Sequence, residues 1–324
     1  MRLFSRLARV IATVGTATAL LAAPLAGQAP GASSRSVALT FDDLPAVGTE
    51  DVAAVQSITR DLLDGVDRHH APATGFVIGK NVEALTTARG RSILSDWTRR
   101  GHPLGNHTYS HIDLTTVTVQ AFEDDVIANE TVLAPVWASA RGGRRYFRFP
   151  YNHAGDTAAK HNAVLSFLEA RGYQIATCTI DTSDFIFNQA YGLMLSRRDT
   201  TSAAKLRTEY LAYTATEIDY YESLHVQIFG HGIPHVMLLH ANRLNADMID
   251  ALLKIFESKR YKFITLDEAQ ADPSYQTPDT FVSAFGPMWG YRWAKARQVT
   301  VNGAAELEPP AWIVEYAKGL PRIP

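Results

Sequence analysis

Two adjacent carboxylates and two histidines stand where apolar runs of the sequence end. Asp42 and Asp43 follow the predicted strand 37–40, and His107 and His111 follow the predicted strand 102–106. Imidazoles four residues apart can face the same point if their segment makes a helical turn. Asp43 and the two histidines would then offer one carboxylate and two nitrogens, a set that suits a catalytic Zn²⁺ with an open position for water. Asp42 would be left free to act as a base.

The same three ligands could also hold iron. Two histidines and one carboxylate form the facial triad of non-haem iron oxygenases. That alternative gives no role to Asp42, or to Arg148 and His240, which stand at the ends of other apolar runs. The sequence therefore favours a hydrolase over an oxygenase.

Three further segments carry polar groups at the ends of apolar runs. Arg148 could orient a carboxylate while backbone N–H groups near Tyr151 meet a developing oxyanion. Asp184 and Phe185 follow a long apolar stretch, and His240 ends another. In parallel β/α folds the active site gathers at the carboxyl ends of the strands. Five such ends in one chain point to a single site.

Short β-branched or aromatic runs alternate with longer helical patterns, which predicts βαβ units and a parallel sheet. The predicted strands are 37–40, 73–78, 102–106, 145–149, 173–180, 236–240 and 261–265. The predicted helices are 51–70, 84–100, 118–138, 157–171, 202–226 and 246–259. Seven strands favour an α/β fold with a distorted (β/α) barrel, and an open doubly wound sheet is the alternative. The segment 186–225 is long for one crossover and predicts an extra loop or helix.

The ends of the chain differ in character from its middle. Residues 1–29 combine three arginines, an uncharged apolar stretch and the small-residue site Gly27-Gln28-Ala29, as in a secretory signal peptide. We therefore expect export, to the periplasm or the medium. Residues 30–270 are predicted to form the catalytic domain. Residues 271–324, rich in Pro, Trp and Tyr, are predicted to be an irregular extension packed on that domain.

Composition excludes several classes of protein. The formal net charge is -2 with no basic block, which argues against a nucleic-acid partner. The sequence has no Gly-x-Ser-x-Gly elbow and no Gly-rich phosphate loop, so neither a serine hydrolase nor a nucleotide cofactor is indicated. Cys178 is the only cysteine and lies in an apolar stretch, where a small buried hydrophobe is expected and not a nucleophile.

The series TFDD, HTYSH, RFPY, DTSDF and LLH, in this order, resembles the five motifs of the polysaccharide deacetylase family (NodB homology domain, carbohydrate esterase family 4). The resemblance extends over roughly residues 36–269. It implies that Asp42 is the general base and that the divalent metal is bound by Asp43, His107 and His111.

The resemblance also implies roles for the later motifs. Arg148 would brace the base, and the backbone of Tyr151 would join the oxyanion hole. Asp184 would tune His240, the general acid. The resemblance further implies that Tyr151, Phe185 and Leu238, which lie in these motifs, contact the substrate.

Three positions depart from the family pattern. Leu44 and Asn152 stand where glycine often follows the first and third motifs, and Phe185 replaces the usual Trp. These changes alter the walls of the groove and leave every charged or ligating group in place.

The resemblance predicts a metal-dependent hydrolase that removes acetyl groups from N-acetylated sugars of a peptidoglycan- or chitin-like polysaccharide. The expected metal is Zn²⁺, with Co²⁺, Ni²⁺ and Mn²⁺ as alternatives, and the expected partner is an acetylated glycan. An O-acetyl esterase acting on xylan-like glycans is the alternative activity.

Overall fold

The computed structural model describes residues 35–49, 51–139 and 144–319, so the predicted signal peptide lies outside the described residues. Within these residues seven strands form one sheet in which every pairing is parallel. The strands are β1 (Ser36–Leu44), β2 (Ala73–Val77), β3 (Leu104–Asn106), β4 (Arg145–Phe147), β5 (Tyr173–Ile175), β6 (His235–His240) and β7 (Lys262–Phe263). Each lies within or close to a segment predicted as a strand.

The sheet curls into a distorted barrel. Its strand order is β5-β4-β3-β2-β1-β6, with β7 also paired to β1. Beyond β5 the chain leaves β4 and reaches β6, where Ile180 forms an isolated parallel bridge with Met237 and accepts a 2.9 Å hydrogen bond from the amide of Leu238. This contact joins the two ends of the sheet. The predicted (β/α) barrel is therefore confirmed, and the open doubly wound sheet is not formed.

Helices follow the strands and cover the outside of the barrel. They are α1 (Val52–Arg68), α2 (Gly79–Ala84), α3 (Thr87–Arg99), α4 (Val119–Ser139), α5 (Ala158–Ala170), α6 (Asp184–Ser196), α7 (Thr200–Phe229), α8 (Arg243–Ser258), α9 (Leu266–Gln270), α10 (Trp289–Ala296) and α11 (Ala311–Ala317). The long segment 186–225 contains most of α6 and α7, so the extra helix expected there is present. No helix in the described ranges is both long enough and apolar enough to cross a membrane.

Packing inside and outside the barrel fixes where the strands end. Residues 36–42 of β1 are all buried, as expected for a central strand of a parallel sheet that is covered on both faces. Phe41 meets Trp97 of α3 edge to face at 5.7 Å. Phe147 and Phe149 form an aromatic cluster with Phe122 of α4. These contacts pack the carboxyl ends of β1 and β4 against α3 and α4.

The segment after α9 returns to the barrel and packs against α6 and α7. The hydroxyl of Tyr213 donates to the carbonyl of Leu307 at 2.9 Å, and the side-chain amide of Gln189 donates to the carbonyl of Ala317 at 3.0 Å. Trp293 of α10 is buried beside Phe229 and Tyr275. Short helices and irregular stretches alternate along this segment.

The close approach of α1 and α8 gives a prediction about stability. A methyl group added at Gly65 would lie 2.3 Å from a carbon of the buried Ile249 side chain. Gly→Ala inside a helix normally gains about 1 kcal/mol, but overpacking a core costs about 1–3 kcal/mol. Gly65→Ala should therefore destabilise the protein in urea unfolding. In an Ile249→Ala background, which frees the space, the same change should stabilise it. A stabilising effect in the wild-type background would contradict this packing.

Candidate active site and metal centre

Asp42 and Asp43 stand at the carboxyl end of β1, where the strand is irregular. The pairing register between β1 and β2 shifts between Phe41 and Leu44, and Asp43 has a positive φ of 64°. Asp42 still pairs in register with His240 of β6. A bulge of this kind redirects side chains at a strand end. It lets two consecutive acids serve one site.

His107 and His111 come together through a loop that follows β3. The expectation of a helical turn is wrong: Thr108 and His111 adopt left-handed backbone angles with φ of 64° and 59°. The loop is held by Asn106, whose side-chain oxygen accepts from the amide of Thr108 at 2.8 Å. The two imidazole rings still end 4.9 Å apart, because the left-handed residues turn the chain back on itself.

Asp43, His107 and His111 form a cluster whose ligand atoms lie within 4.8 Å of one another. The Oδ1 atom of Asp43 lies 3.4 Å from Nε2 of His107 and 3.5 Å from Nε2 of His111. Ligands about 2.1 Å from a tetrahedral ion stand about 3.4 Å apart. Oδ1 is also buried and has no hydrogen-bond partner in the described part of the chain. The donor set and its spacing therefore fit a divalent metal ion.

The protonation states of the two histidines agree with a ligand role. Nδ1 of His107 lies 2.8 Å from the carbonyl oxygen of Arg148, which can only accept, so Nδ1 carries the proton and Nε2 keeps its lone pair. Burial lowers the pKa of His111 to about 4, despite the opposing charge of Asp43. The imidazole of His111 is thus neutral near pH 7, as metal binding requires.

Arg148 is buried at the carboxyl end of β4 and is 0% exposed. Its Nη1 donates to Oδ1 of Asp42 at 3.1 Å and to the hydroxyl of Thr40 at 3.0 Å. Its Nε donates to the carbonyl of Ala176 at 3.0 Å, and the guanidinium lies 4.5 Å from the ring centre of Phe76. A buried ion pair of this kind holds the carboxylate of Asp42 in one orientation.

His240, the last residue of β6, and Asp184, the first residue of α6, form a second pair. Nδ1 of His240 lies 2.7 Å from Oδ1 of Asp184, which is fully buried. Burial opposes the charged form of the imidazole, but the charge and hydrogen bond of Asp184 raise the pKa of His240 to about 10. His240 is therefore an imidazolium at neutral pH and can donate its Nε2 proton.

The three residues expected to contact substrate differ in exposure. Tyr151 is 49% exposed, and its ring centre lies 4.5 Å from that of His111. Phe185 is 51% exposed and lies edge to face against His240 at 6.1 Å. Leu238 is only 6% exposed and belongs to the hydrophobic core. Tyr151 and Phe185 thus present open aromatic faces beside the polar cluster, whereas Leu238 is largely covered by protein.

Several supporting residues were not singled out from the sequence. The hydroxyl of Thr40 accepts from Arg148 and donates to the carbonyl of Met237 at 2.6 Å. Asn242 and Asn245 each donate to Oδ2 of Asp184. Thr40 stands within the TFDD motif, and Asn242 and Asn245 lie two and five residues after His240, so their closeness to the motifs was the signal in the sequence.

Comparison with known proteins places this geometry in a family. A family model described as polysaccharide deacetylase matches residues 30–176, so this part of the chain is similar to that family. The matched region contains the first three motifs, whereas Asp184 and His240 lie beyond it. The carbohydrate esterase resemblance read from the motifs is thereby confirmed.

Three relatives of known description are similar to parts of the chain. A peptidoglycan-N-acetylglucosamine deacetylase of Bacillus cereus is 28% identical over 46% of this chain and 46% of its own length. A chitin deacetylase of a Pestalotiopsis species is 30% identical over 46% of this chain and 43% of its own. A bifunctional xylanase/deacetylase of Pseudobutyrivibrio xylanivorans is 23% identical over 73% of this chain and 30% of its own. The chain thus spans less than half the length of each of these relatives.

Solved structures of deacetylases also align with most of the chain. A T48 deacetylase with substrate aligns over 74% of this chain and 92% of that protein, with a TM-score of 0.45 and 22% identity. PdaA of Bacillus subtilis, a family 4 carbohydrate esterase, aligns over 74% of this chain and 81% of that protein, with a TM-score of 0.47 and 20% identity.

The ligand geometry predicts the effect of removing one histidine. Mutation of a residue that only orients a metal ligand typically lowers metal affinity about 10–100-fold. His107→Ala removes a ligand itself, so its metal affinity should fall by more than about 100-fold. The exposed His231, before the amino-terminal end of β6, gives a matched control in His231→Ala. Metal content after dialysis measures both. Wild-type stoichiometry in His107→Ala would contradict the assigned centre.

Proposed function

We propose that this protein is a metal-dependent deacetylase that removes acetyl groups from N-acetylated sugars of a peptidoglycan- or chitin-like polysaccharide. The observation that carries the proposal is the pairing of Asp42 with His240 on the neighbouring strands β1 and β6. One is a carboxylate held by a buried arginine, and the other is an imidazolium held by a buried aspartate. An acid and a base beside one metal site are what amide hydrolysis needs.

The relatives support the class of substrate. Two of them are named for deacetylation of peptidoglycan N-acetylglucosamine and of chitin, and both are polymers of N-acetylated sugars. The open faces of Tyr151 and Phe185 beside the site suit sugar rings, which expose apolar C–H surfaces. We further propose export of the protein, on the sequence of residues 1–29 alone.

Asp43, His107 and His111 would hold the metal, and we propose Zn²⁺ because two imidazoles and one carboxylate at tetrahedral spacing match its preference. A bound Zn²⁺ would polarise the acetyl carbonyl and lower the pKa of a coordinated water. Co²⁺, Ni²⁺ and Mn²⁺ accept the same donors.

Asp42 acts as the general base that takes a proton from the attacking water. Its side chain is fixed by Arg148, so the carboxylate has one orientation before substrate binds. The backbone N–H of Tyr151 stabilises the negative charge that develops on the carbonyl oxygen. The left-handed angles of Tyr151, φ 57° and ψ 12°, turn this residue out of the regular backbone path after β4.

His240 acts as the general acid. The nitrogen of an amide leaves only after it is protonated, so the imidazolium must donate its proton as the C–N bond breaks. Asp184 keeps His240 protonated through neutral pH and fixes the ring by its hydrogen bond to Nδ1. Each of the acid and base roles contributes about 10²–10⁴-fold in rate.

An O-acetyl esterase is the second candidate, and the similarity to a xylanase/deacetylase favours it. An alcohol leaves more easily than an amine, so an ester needs less help from the general acid. Loss of His240 should therefore reduce amide hydrolysis far more than ester hydrolysis. Comparable losses on both substrates would remove this basis for distinguishing the two activities.

The deciding measurement is acetate release from N-acetylated and O-acetylated glycans. The purified protein is stripped of metal with a chelator and then reloaded with Zn²⁺, Co²⁺, Ni²⁺ or Mn²⁺. We expect release from N-acetyl glycans only after reloading, and a fall of about 10²–10⁴-fold in Asp42→Asn. Acetate release that does not change on chelation, or that does not change in Asp42→Asn, would contradict the proposed function.

The Asp184–His240 pair predicts a shift in pH dependence. Asp184 raises the pKa of His240, so Asp184→Asn leaves burial dominant and the imidazole loses its proton at lower pH. The alkaline limb of kcat/KM on an N-acetyl glycan should move down in pH, with activity near pH 8 lowered by about 10²-fold or more. Asp247→Asn, which changes an acid on α8 that contacts Tyr191 and Arg243, is the control. If the alkaline limb stays in place in Asp184→Asn, the result would contradict the role of His240 as the general acid.

A further inference from the structure

The segment between α9 and α10 reaches the active-site loop that carries Tyr151. Gly286 packs so closely there that an added methyl group would lie 1.9 Å from the carbonyl oxygen of Tyr151 and 2.8 Å from the carbonyl carbon of Asn152. Both of these are backbone atoms, which cannot swing away as the end of a side chain can. Only glycine fits at this position, and the loop after β4 is therefore in direct contact with the C-terminal extension.

Arg292 of α10 makes a second connection to the same loop. This arginine is 2% exposed, and its Nη2 donates to the carbonyl oxygen of Asn152. Its Nε donates to the carbonyl of Pro287 at 3.0 Å, and its Nη1 donates to Oδ2 of Asp279 at 3.2 Å. The guanidinium also lies 4.2 Å from the ring centre of Trp289. Each nitrogen thus has a partner, and the rigid planar group is fixed in direction.

Asn152 is held from its side chain as well. Its Oδ1 accepts from the buried thiol of Cys178 at 3.3 Å, and its Nδ2 lies 3.8 Å from the sulfur of Met288. Burial raises the pKa of Cys178 to about 11, so the thiol stays protonated and can donate. The loop is therefore tied to the end of the β5 segment and to the residues before α10.

These contacts act on backbone angles that are strained. Tyr151 and Asn152 have φ of 57° and 56°, a region that non-glycine residues enter only when their surroundings force them. The peptide after Tyr151 is contacted by Gly286, and the peptide after Asn152 is bound by Arg292. Together, the contacts with Gly286 and Arg292 restrict ψ of Tyr151 and both φ and ψ of Asn152. Pro150, whose ring restricts φ, limits the chain on the other side.

We propose that Arg292, from outside the segment that matches the family model, is a positioning residue that aims the backbone N–H of Tyr151 at the oxyanion. The inference rests on the proposed deacetylase function. Arg292 touches neither substrate nor metal and acts only through the Asn152 carbonyl. Its loss should weaken stabilisation of the transition state and leave substrate binding and metal binding in place.

The test compares Arg292→Gln with Arg297→Gln, both loaded with Zn²⁺. Arg297 ends the same helix, and its Nε donates to the carbonyl of Ile228 at 3.2 Å, so it also ties α10 to the barrel without contacting the loop. Removing an oxyanion donor costs about 10²–10³-fold in kcat, so misaiming one should cost about 10-fold or more. We expect that loss in Arg292→Gln, with KM within about two-fold and full zinc content, and wild-type kinetics in Arg297→Gln.

Binding of a tetrahedral analogue gives a readout separate from turnover. A methylphosphonamidate that replaces the acetamide of the sugar carries the oxyanion, whereas the deacetylated sugar does not. Arg292→Gln should bind the analogue more weakly by the factor lost in kcat/KM and bind the free amine sugar as the wild type does. Equal weakening of both ligands, or an unchanged kcat, would overturn the inference.

A second variant protects the test if Arg292→Gln does not fold. Arg292→Lys keeps the positive charge but lacks the planar fork that binds Asn152, Pro287 and Asp279 together, so it should give the same split between kcat and KM. Guanidinium added to Arg292→Ala should restore part of the lost kcat. A wild-type protein that releases no acetate would instead count against the proposed function, which separates the two failures.

Discussion

The buried charge of Arg148 is the interaction on which the site depends. One side chain, wholly removed from solvent, joins β1 through Thr40 and Asp42 and joins the end of β5 through the carbonyl of Ala176. Its own carbonyl fixes the tautomer of His107. Removing one partner of such a pair costs about 3–5 kcal/mol, because the other charge stays buried and unpaired. The guanidinium of Arg148 therefore connects the barrel end to the proposed base, and its backbone carbonyl fixes one proposed metal ligand.

Backbone strain is concentrated where the chemistry would occur. Of the eleven non-glycine residues with a positive φ in the described part of the chain, five lie beside the polar cluster: Asp43, Thr108, His111, Tyr151 and Asn152. Each such angle in a non-glycine residue costs about 1–3 kcal/mol. The parallel pairing of the strands and the aromatic packing at the ends of β1 and β4 offset this cost. Asn is among the few residues that tolerate this region, which accounts for Asn152 at a position where the family often has glycine.

Much of the fold follows from the sequence because strand and helix patterns are local. The alternation of apolar runs with helical spacing gave the seven strands, and the five motifs gave the polar residues at their ends. The helical turn expected between His107 and His111 was wrong, because i and i+4 spacing does not distinguish a helix from a loop with two left-handed residues. The bridge between Ile180 and Met237, which joins the two ends of the sheet, could not be predicted either. An isolated bridge between distant segments leaves no periodic signal in the sequence.

The residues around the site come from segments that lie far apart along the chain. This explains why the sequence did not indicate the contribution of Arg292. Residues 30–176 contain the proposed base, the proposed metal ligands and the loop proposed to bind the oxyanion, and they match the polysaccharide deacetylase family model. Asp184 and His240 lie beyond that segment, and Arg292 lies further on in a stretch with no motif. A guanidinium that binds backbone carbonyls needs no particular side chain opposite it, so neither partner carries a sequence signature. The barrel brings these distant parts together because β6 pairs with β1, and α10 packs on α7 beside the strand ends. An extension that shapes a catalytic loop through backbone contacts can therefore be recognised only from three-dimensional structure.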